Sequence, residues 1–143
     1  MKNILVSACL MGENCKYNGG NNYCPKLQLL TDKYCFIPIC PETFGGLKSP
    51  REPAEIIKDK VILKTGEDVT DEFIKGAEIT LKTALDNNCK IAILKERSPS
   101  CAPKCIYNGK FNGVVIKGQG ITARLLKENG IKLYSEEEID LLL

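Results

Sequence analysis

The chain has no histidine and no tryptophan among its 143 residues. Without histidine there is no mixed Cys/His zinc site and no imidazole general base. Acid–base work would fall to Asp, Glu, Lys, Tyr, Ser or Cys. Surplus charge is also missing: 20 Lys and Arg against 18 Asp and Glu leave +2. So even a balance carries no electrostatic footprint for DNA. No apolar run approaches the length of a membrane span. The apolar start, Ile4 to Val6, is too short for a secretory core and is followed by polar residues. The expectation is a soluble cytoplasmic protein. Its apolar content, 43%, excludes disorder, and residues 1–143 suffice for one domain with a proper core.

Cysteine is what the chain has in excess, with eight residues. In a reducing compartment cysteines serve as metal ligands, catalytic thiols or buried apolar groups more often than as disulfides. Where they sit in the pattern separates these uses. Ile91-Ala92-Ile93-Leu94 is a continuous apolar run, the pattern of a strand buried on both faces. It breaks into Lys95, Glu96, Arg97, Ser98, Pro99, Ser100 and Cys101. Ile4-Leu5-Val6 runs into Ser7, Ala8 and Cys9 in the same way. Phe36 to Ile39 runs into Cys40, Pro41 and Glu42. Three distant strands therefore each deliver a cysteine at the carboxyl end. In an open α/β sheet that edge is where ligands bind.

Between these strands the pattern alternates. Pro25 suits the first turn of a short helix to about Lys33, with Leu27, Leu29 and Leu30 inward. Residues 42–53 read as loop. Ala54 to Ile57 and Val61 to Leu63 read as a hairpin around Lys58-Asp59-Lys60. A helix is expected from Asp71 to about Asn87, with Thr70 as N-cap and Val69 and Ile74 as a hydrophobic staple. Its apolar face would be Phe73, Ala77, Leu81, Ala84 and Leu85, and Asn88 would end it in the left-handed conformation. Val114 to Ile116 is a short strand after two Asn-Gly turns. Thr122 to Asn129 is a helix stopped by Gly130, Ile131 to Tyr134 a last strand, and Ser135 with Glu138 a capping box. Pro38 lacks an amide donor and belongs on an edge strand. The result is a single α/β domain. It has a mostly parallel, four-stranded Rossmann-like sheet in order 2-1-3-4, flanking helices and a small β-hairpin excursion.

Cys9, Cys40 and Cys101 thus form a candidate metal or cluster site. Buried thiols are the alternative, one that suits Cys35 and Cys89 beside their strands. Soft thiolates select zinc or iron–sulfur, and three protein ligands leave one position open for substrate. Cys15 and Cys105 are each a fourth ligand, a resolving thiol or neither; Cys24 is read as structural. Glu42 is either a solvated loop carboxylate or, beside a bound substrate, the acid–base group. Ser7, Ser98 and Ser100 are candidates for capping a helix or donating to an oxyanion or ring carbonyl. Lys95, Arg97 and Arg51 are surface charges unless they line the cleft, where they would favour an anionic substrate or sulfide release.

Four blocks carry a family resemblance: VSACLMGENCKYNG (6–19), CPETFGGLKSPREPAE (40–55), RSPSC (97–101) and GQGITARLLKENGI (118–131). They span most of the chain and resemble the thiouracil desulfidase (TudS) family. Departures fall at Lys16 and Asn18, where the family more often has Arg and Asp. Ala102 and Cys105 depart too, in a stretch usually richer in glycine. The resemblance implies a 4Fe–4S cluster on Cys9, Cys40 and Cys101, with Glu42 and Ser100 as catalytic residues. It further implies a small thiolated pyrimidine as substrate, whose sulfur meets the free iron while water supplies the replacing oxygen. Ser7, Ser98, Lys95 and Arg97 would bind that substrate. Thiolated RNA stays open as a source of it; no membrane or DNA partner is expected. Two rival readings keep the same thiols. One is a non-enzymatic carrier of a labile cluster, zinc or sulfur. The other is a redox enzyme using Cys101 and Cys105.

Overall fold

β1 (Lys2–Ser7) is one of the two central strands of the main sheet, with Ile4, Leu5 and Val6 fully enclosed. The computed structural model describes all residues 1–143. A 3-10 turn, Ala8–Met11, follows and closes at Gly12 in the left-handed region. The chain then runs irregularly to a 3-10 helix, Pro25–Leu30. Three residues per turn put Leu27 and Leu30 on one buried face and turn Leu29 outward, contrary to the expected helix.

β2 (Tyr34–Ile39) lies parallel to β1, with Val6 opposite Pro38. One turn of helix, α1 (Pro41–Phe44), follows it where loop was expected. β3 (Ala54–Ile57) and β4 (Lys60–Leu63) form the expected antiparallel hairpin. α2 (Thr70–Asp86) starts at Thr70 itself. The capping acceptor is Asp68, whose Oδ1 takes the Thr70 N–H (2.9 Å) and hydroxyl (2.6 Å). No staple forms, because Ile74 is exposed while Val69 is buried. Leu85 also faces out. The buried stripe is instead Phe73, Gly76, Ala77, Thr80 and Ala84, and the Thr80 hydroxyl donates to the Gly76 carbonyl at 2.8 Å.

β5 (Ile91–Leu94) returns to the sheet beside β1. β6 (Cys105–Tyr107) pairs with β7 (Val115–Lys117), a second ribbon whose first strand the apolar pattern had not marked. α3 (Ile121–Glu128) and β8 (Lys132–Ser135) complete the alternation. A 3-10 helix, Glu136–Leu142, ends the chain, with the Ser135–Glu138 capping box in place. Asn88 (φ 54°) and Gly130 (φ 84°) occupy the left-handed region, as expected.

The main sheet has four parallel strands in order β2-β1-β5-β8. Pro38 is on an edge strand, where its missing N–H costs no ladder bond. One face, with Leu5, Ala92 and Leu94, packs on α2 and α3 through Ala84, Ala123 and Leu126. The other, with Ile4, Val6 and Ile93, packs on the 3-10 helices through Leu27, Leu30, Ile139 and Leu142. Val61, Leu63, Val69 and Phe73 seat the β3–β4 hairpin on α2. No helix is long and apolar enough to cross a membrane.

Candidate functional site

The order β2-β1-β5 places three strand ends side by side, and a cavity of about 520 Å³ opens at that edge. Cys9, Cys40 and Cys101 all line it, with Ser7, Glu42, Lys95, Arg97, Ser98 and Ser100. So does Cys15, while Cys105 does not. Cys105 is half-buried in β6, opposite Lys117, which leaves a Cys101–Cys105 redox pair without support from the cavity.

The four sulfurs at the cavity differ in surroundings. Asn22 Nδ2 donates to Cys9 Sγ at 3.4 Å. Cys40 Sγ lies 3.9 Å from the Cys15 carbonyl. The neighbouring Cys15 thiol, by hydrogen bonding to their thiolates, pulls Cys9 below the usual thiol range and Cys40 down to about 6. The same contacts push the Cys15 thiol far up. Cys101 is buried, and loss of hydration pushes its thiol up to about 12 against hydrogen bonds from Ser7 and Ser100. Cys35, read from sequence as a buried thiol, is exposed on β2; Cys89 is buried.

Cys101 is held by its loop. Glu96 is buried, and its Oε1 accepts the Lys104 and Cys105 N–H groups at 3.0 and 2.9 Å. Ser98 Oγ accepts the N–H groups of Ser100 (3.2 Å) and Cys101 (3.0 Å), so this hydroxyl shapes the turn. The first turn of α3 donates from Thr122 and Ala123 to the Ser100 carbonyl. That approach requires a glycine just before the helix. A Cβ on Gly120 would come within 2.8 Å of the Cys101 nitrogen.

Cys40 and Glu42 are held from α1, which rests directly on the α2 backbone. A Cβ on Gly76 would lie 2.7 Å from the Pro41 carbonyl carbon, and one on Gly45 would lie 2.8 Å from that of Glu72. The Glu42 side chain is largely enclosed. Its Oε1 accepts from Arg51 Nη2 (2.9 Å) and Nε (3.2 Å), and its Oε2 accepts the Ser100 hydroxyl at 2.9 Å. Ser100 Oγ is also 3.7 Å from Cys101 Sγ. Carboxylate, hydroxyl and thiol therefore form a connected row along the cavity wall.

The remaining residues singled out from sequence divide. Ser7 Oγ accepts the Lys95 N–H at 3.0 Å, bracing β1 against the end of β5. Lys95 lines the cavity, but its Nζ is paired with Glu136 (2.9 Å) and the Glu96 carbonyl. Arg97 lines it with left-handed backbone (φ 66°) and no carboxylate partner. Tyr17, Tyr107 and Phe111 supply aromatic wall that strand-end reasoning had missed. Arg51, a surface charge unless it lines the cleft, does line it, with its side chain only 9% exposed. The one signal for it was its place between Pro50 and Pro53, which stiffen the backbone on both sides.

Most of the cavity's lining comes from three of the blocks that carried the resemblance, 6–19, 40–55 and 97–101. A model of the 2-thiouracil desulfurase family matches residues 4–138. The uncharacterized protein YbbK of Bacillus subtilis is 44% identical over 147 aligned positions, covering 96% of this chain and 97% of that protein. A solved structure of a [4Fe-4S]-dependent thiouracil desulfidase, TudS, is 41% identical and superposes with a TM-score of 0.93, covering 99% of this chain and 95% of the other. Matched along nearly its whole length by the family's pattern and by both relatives, the chain belongs to the 2-thiouracil desulfurase family.

Proposed function

We propose that the chain is an iron–sulfur-dependent desulfidase that exchanges the sulfur of a thiolated pyrimidine for oxygen. The balance is C=S plus water giving C=O plus hydrogen sulfide. The observation that carries the reading is the cavity that gathers Cys9, Cys40 and Cys101 beside the Glu42–Ser100 hydrogen bond.

The donor set fits a cluster. All the nearby ligands of the right softness are thiols, and histidine is absent from the chain. When bound, a 4Fe–4S cluster on Cys9, Cys40 and Cys101 would supply Lewis-acidic iron toward a soft sulfur atom. The chain's own groups do the rest. Glu42 Oε2 takes a proton from the attacking water, and the Ser100 hydroxyl holds that oxygen in place. Tyr17, Tyr107 and Phe111 offer flat faces to a pyrimidine ring. A carrier of clusters or sulfur has no need of a nearly enclosed carboxylate and hydroxyl at the ligands.

The test is anaerobic reconstitution, with iron and sulfide counted and sulfide release followed from 2-thiouracil, 4-thiouracil and their nucleotides. Glu42→Gln keeps the shape and removes the proton acceptor. It should leave cluster absorbance unchanged and slow release by roughly two to four orders of magnitude. Near wild-type release by the cluster-loaded variant removes Glu42 from the mechanism. Failure of the loaded wild type on every thiolated pyrimidine favours the carrier.

A further inference from the structure

Arg51 has no part in the chemistry just described, although it is among the best-anchored side chains at the cavity. Its Nη2 donates to Glu42 Oε1 (2.9 Å) and to the Cys15 carbonyl (3.0 Å). Its Nη1 donates to the Lys48 carbonyl (3.0 Å) and Ser49 Oγ (3.2 Å). Its Nε returns to Glu42 Oε1 at 3.2 Å, and its backbone N–H donates to the Tyr17 carbonyl. One guanidinium thus joins the segment that follows Cys9, the turn that follows Cys40 and its own loop. Only a planar fork can hold so many acceptors at once; an ammonium is a point charge.

The two Glu42 oxygens are treated unequally. Oε1 is held twice by Arg51, whereas Oε2 meets only Ser100. We propose that Arg51 is the positioning residue of this site: by clamping Oε1 it leaves Oε2 as the carboxylate oxygen that handles the proton. The proposal rests on the reading of Glu42 as proton acceptor. It also takes Arg51 out of the set of cations available to an anionic substrate, since its donors are already engaged.

The experiment is a double-mutant cycle on cluster-loaded protein, using Arg51→Gln and Arg51→Lys alone and combined with Glu42→Gln. Iron per chain, melting temperature, kcat and KM for sulfide release from 4-thiouracil are recorded for each. Arg51→Gln should keep its iron and lose kcat by about ten- to a hundredfold, the usual consequence of a misplaced reacting group, with KM moving little. Arg51→Lys should recover part of that loss. On the Glu42→Gln background the Arg51 change should add less than about twofold, because the group it positions is gone. Arg51→Lys carries the same comparison if Arg51→Gln fails to fold or load. Multiplying losses in the double variant would overturn the proposal, as would a loss carried in KM or a wild-type kcat for Arg51→Gln. A Glu42→Gln protein as active as wild type would overturn the reading of Glu42 itself, and is seen without any Arg51 variant.

Discussion

Gly76→Ala sets two physical effects against each other. Gly76 lies inside α2, where alanine is the better helix former by about 1 kcal/mol. Propensity alone therefore forecasts a more stable protein. Packing forecasts the opposite. The new Cβ would overlap the Pro41 carbonyl oxygen and stand 2.7 Å from its carbon. Carbon atoms rest at about 3.5–4.0 Å, so α1 must withdraw by roughly 1 Å. Both sides of this contact are backbone, with no flexible side chain to swing away. Overpacking of this kind costs about 1–3 kcal/mol, which cancels or outweighs the helical gain. Activity should report it more sharply than stability. Pro41 sits between Cys40 and Glu42, so the displacement reaches both the sulfur and the carboxylate. A 1 Å error in a reacting group costs roughly a hundredfold in rate. The assay is thermal melting together with anaerobic sulfide release, with Lys75→Ala on the exposed side of α2 as control. A Gly76→Ala protein with wild-type kcat and a raised melting temperature would refute the reasoning.

Serine replacement should sort the cysteines: Cys9→Ser, Cys40→Ser and Cys101→Ser should each abolish iron binding, while Cys24→Ser, Cys35→Ser and Cys89→Ser should not. Loss of iron in Cys15→Ser as well would mean a four-cysteine site and no open iron. In metal-free protein at pH 7, iodoacetamide should label Cys40, whose thiol is drawn down to about 6, and spare buried Cys101, pushed up to about 12. A lowered thiol is thiolate above its pKa, so Cys40 labelling should fade as pH falls through 6; a rate that rises only above pH 8, read by peptide mass spectrometry, would contradict this.

The sheet was legible because its signals are local. Apolar runs mark strands buried on both faces, and Pro38 could sit only where no ladder bond is lost. Asn88 and Gly130 punctuate helices by their own conformational freedom. What escaped depends on contacts between distant segments. α1 is too short to show a period, and it rests on α2 through Gly45 and Gly76, thirty-one residues apart in the sequence. β6 is three residues long, below the length at which alternation can be read. Hydrophobicity alone puts Leu85 on the apolar face of α2, but the stripe that meets its neighbours contains Gly76 and Thr80 instead. Cys15 and Arg51 reach the cavity from loops whose path no periodicity encodes.

Sheet geometry also bears on which cofactor the three strand-end thiols would suit. Neighbouring strands lie about 4.8 Å apart, so β2, β1 and β5 spread their carboxyl ends over roughly 10 Å. Two thiolates on one zinc ion, each bonded at about 2.3 Å, stand at most about 4.6 Å apart. Cysteines leaving three consecutive strands can meet on one ion only if their loops bend inward together. Two of these loops are braced: that of Cys101 by Ser98, Glu96 and Gly120, and that of Cys40 by the contact between α1 and α2. Rigid loops on separated strands would suit an extended thiolate-bound cofactor better than a single ion. The same separation leaves room at the centre of the edge, where Glu42 and Ser100 meet and where a ring carrying a sulfur atom would have to enter.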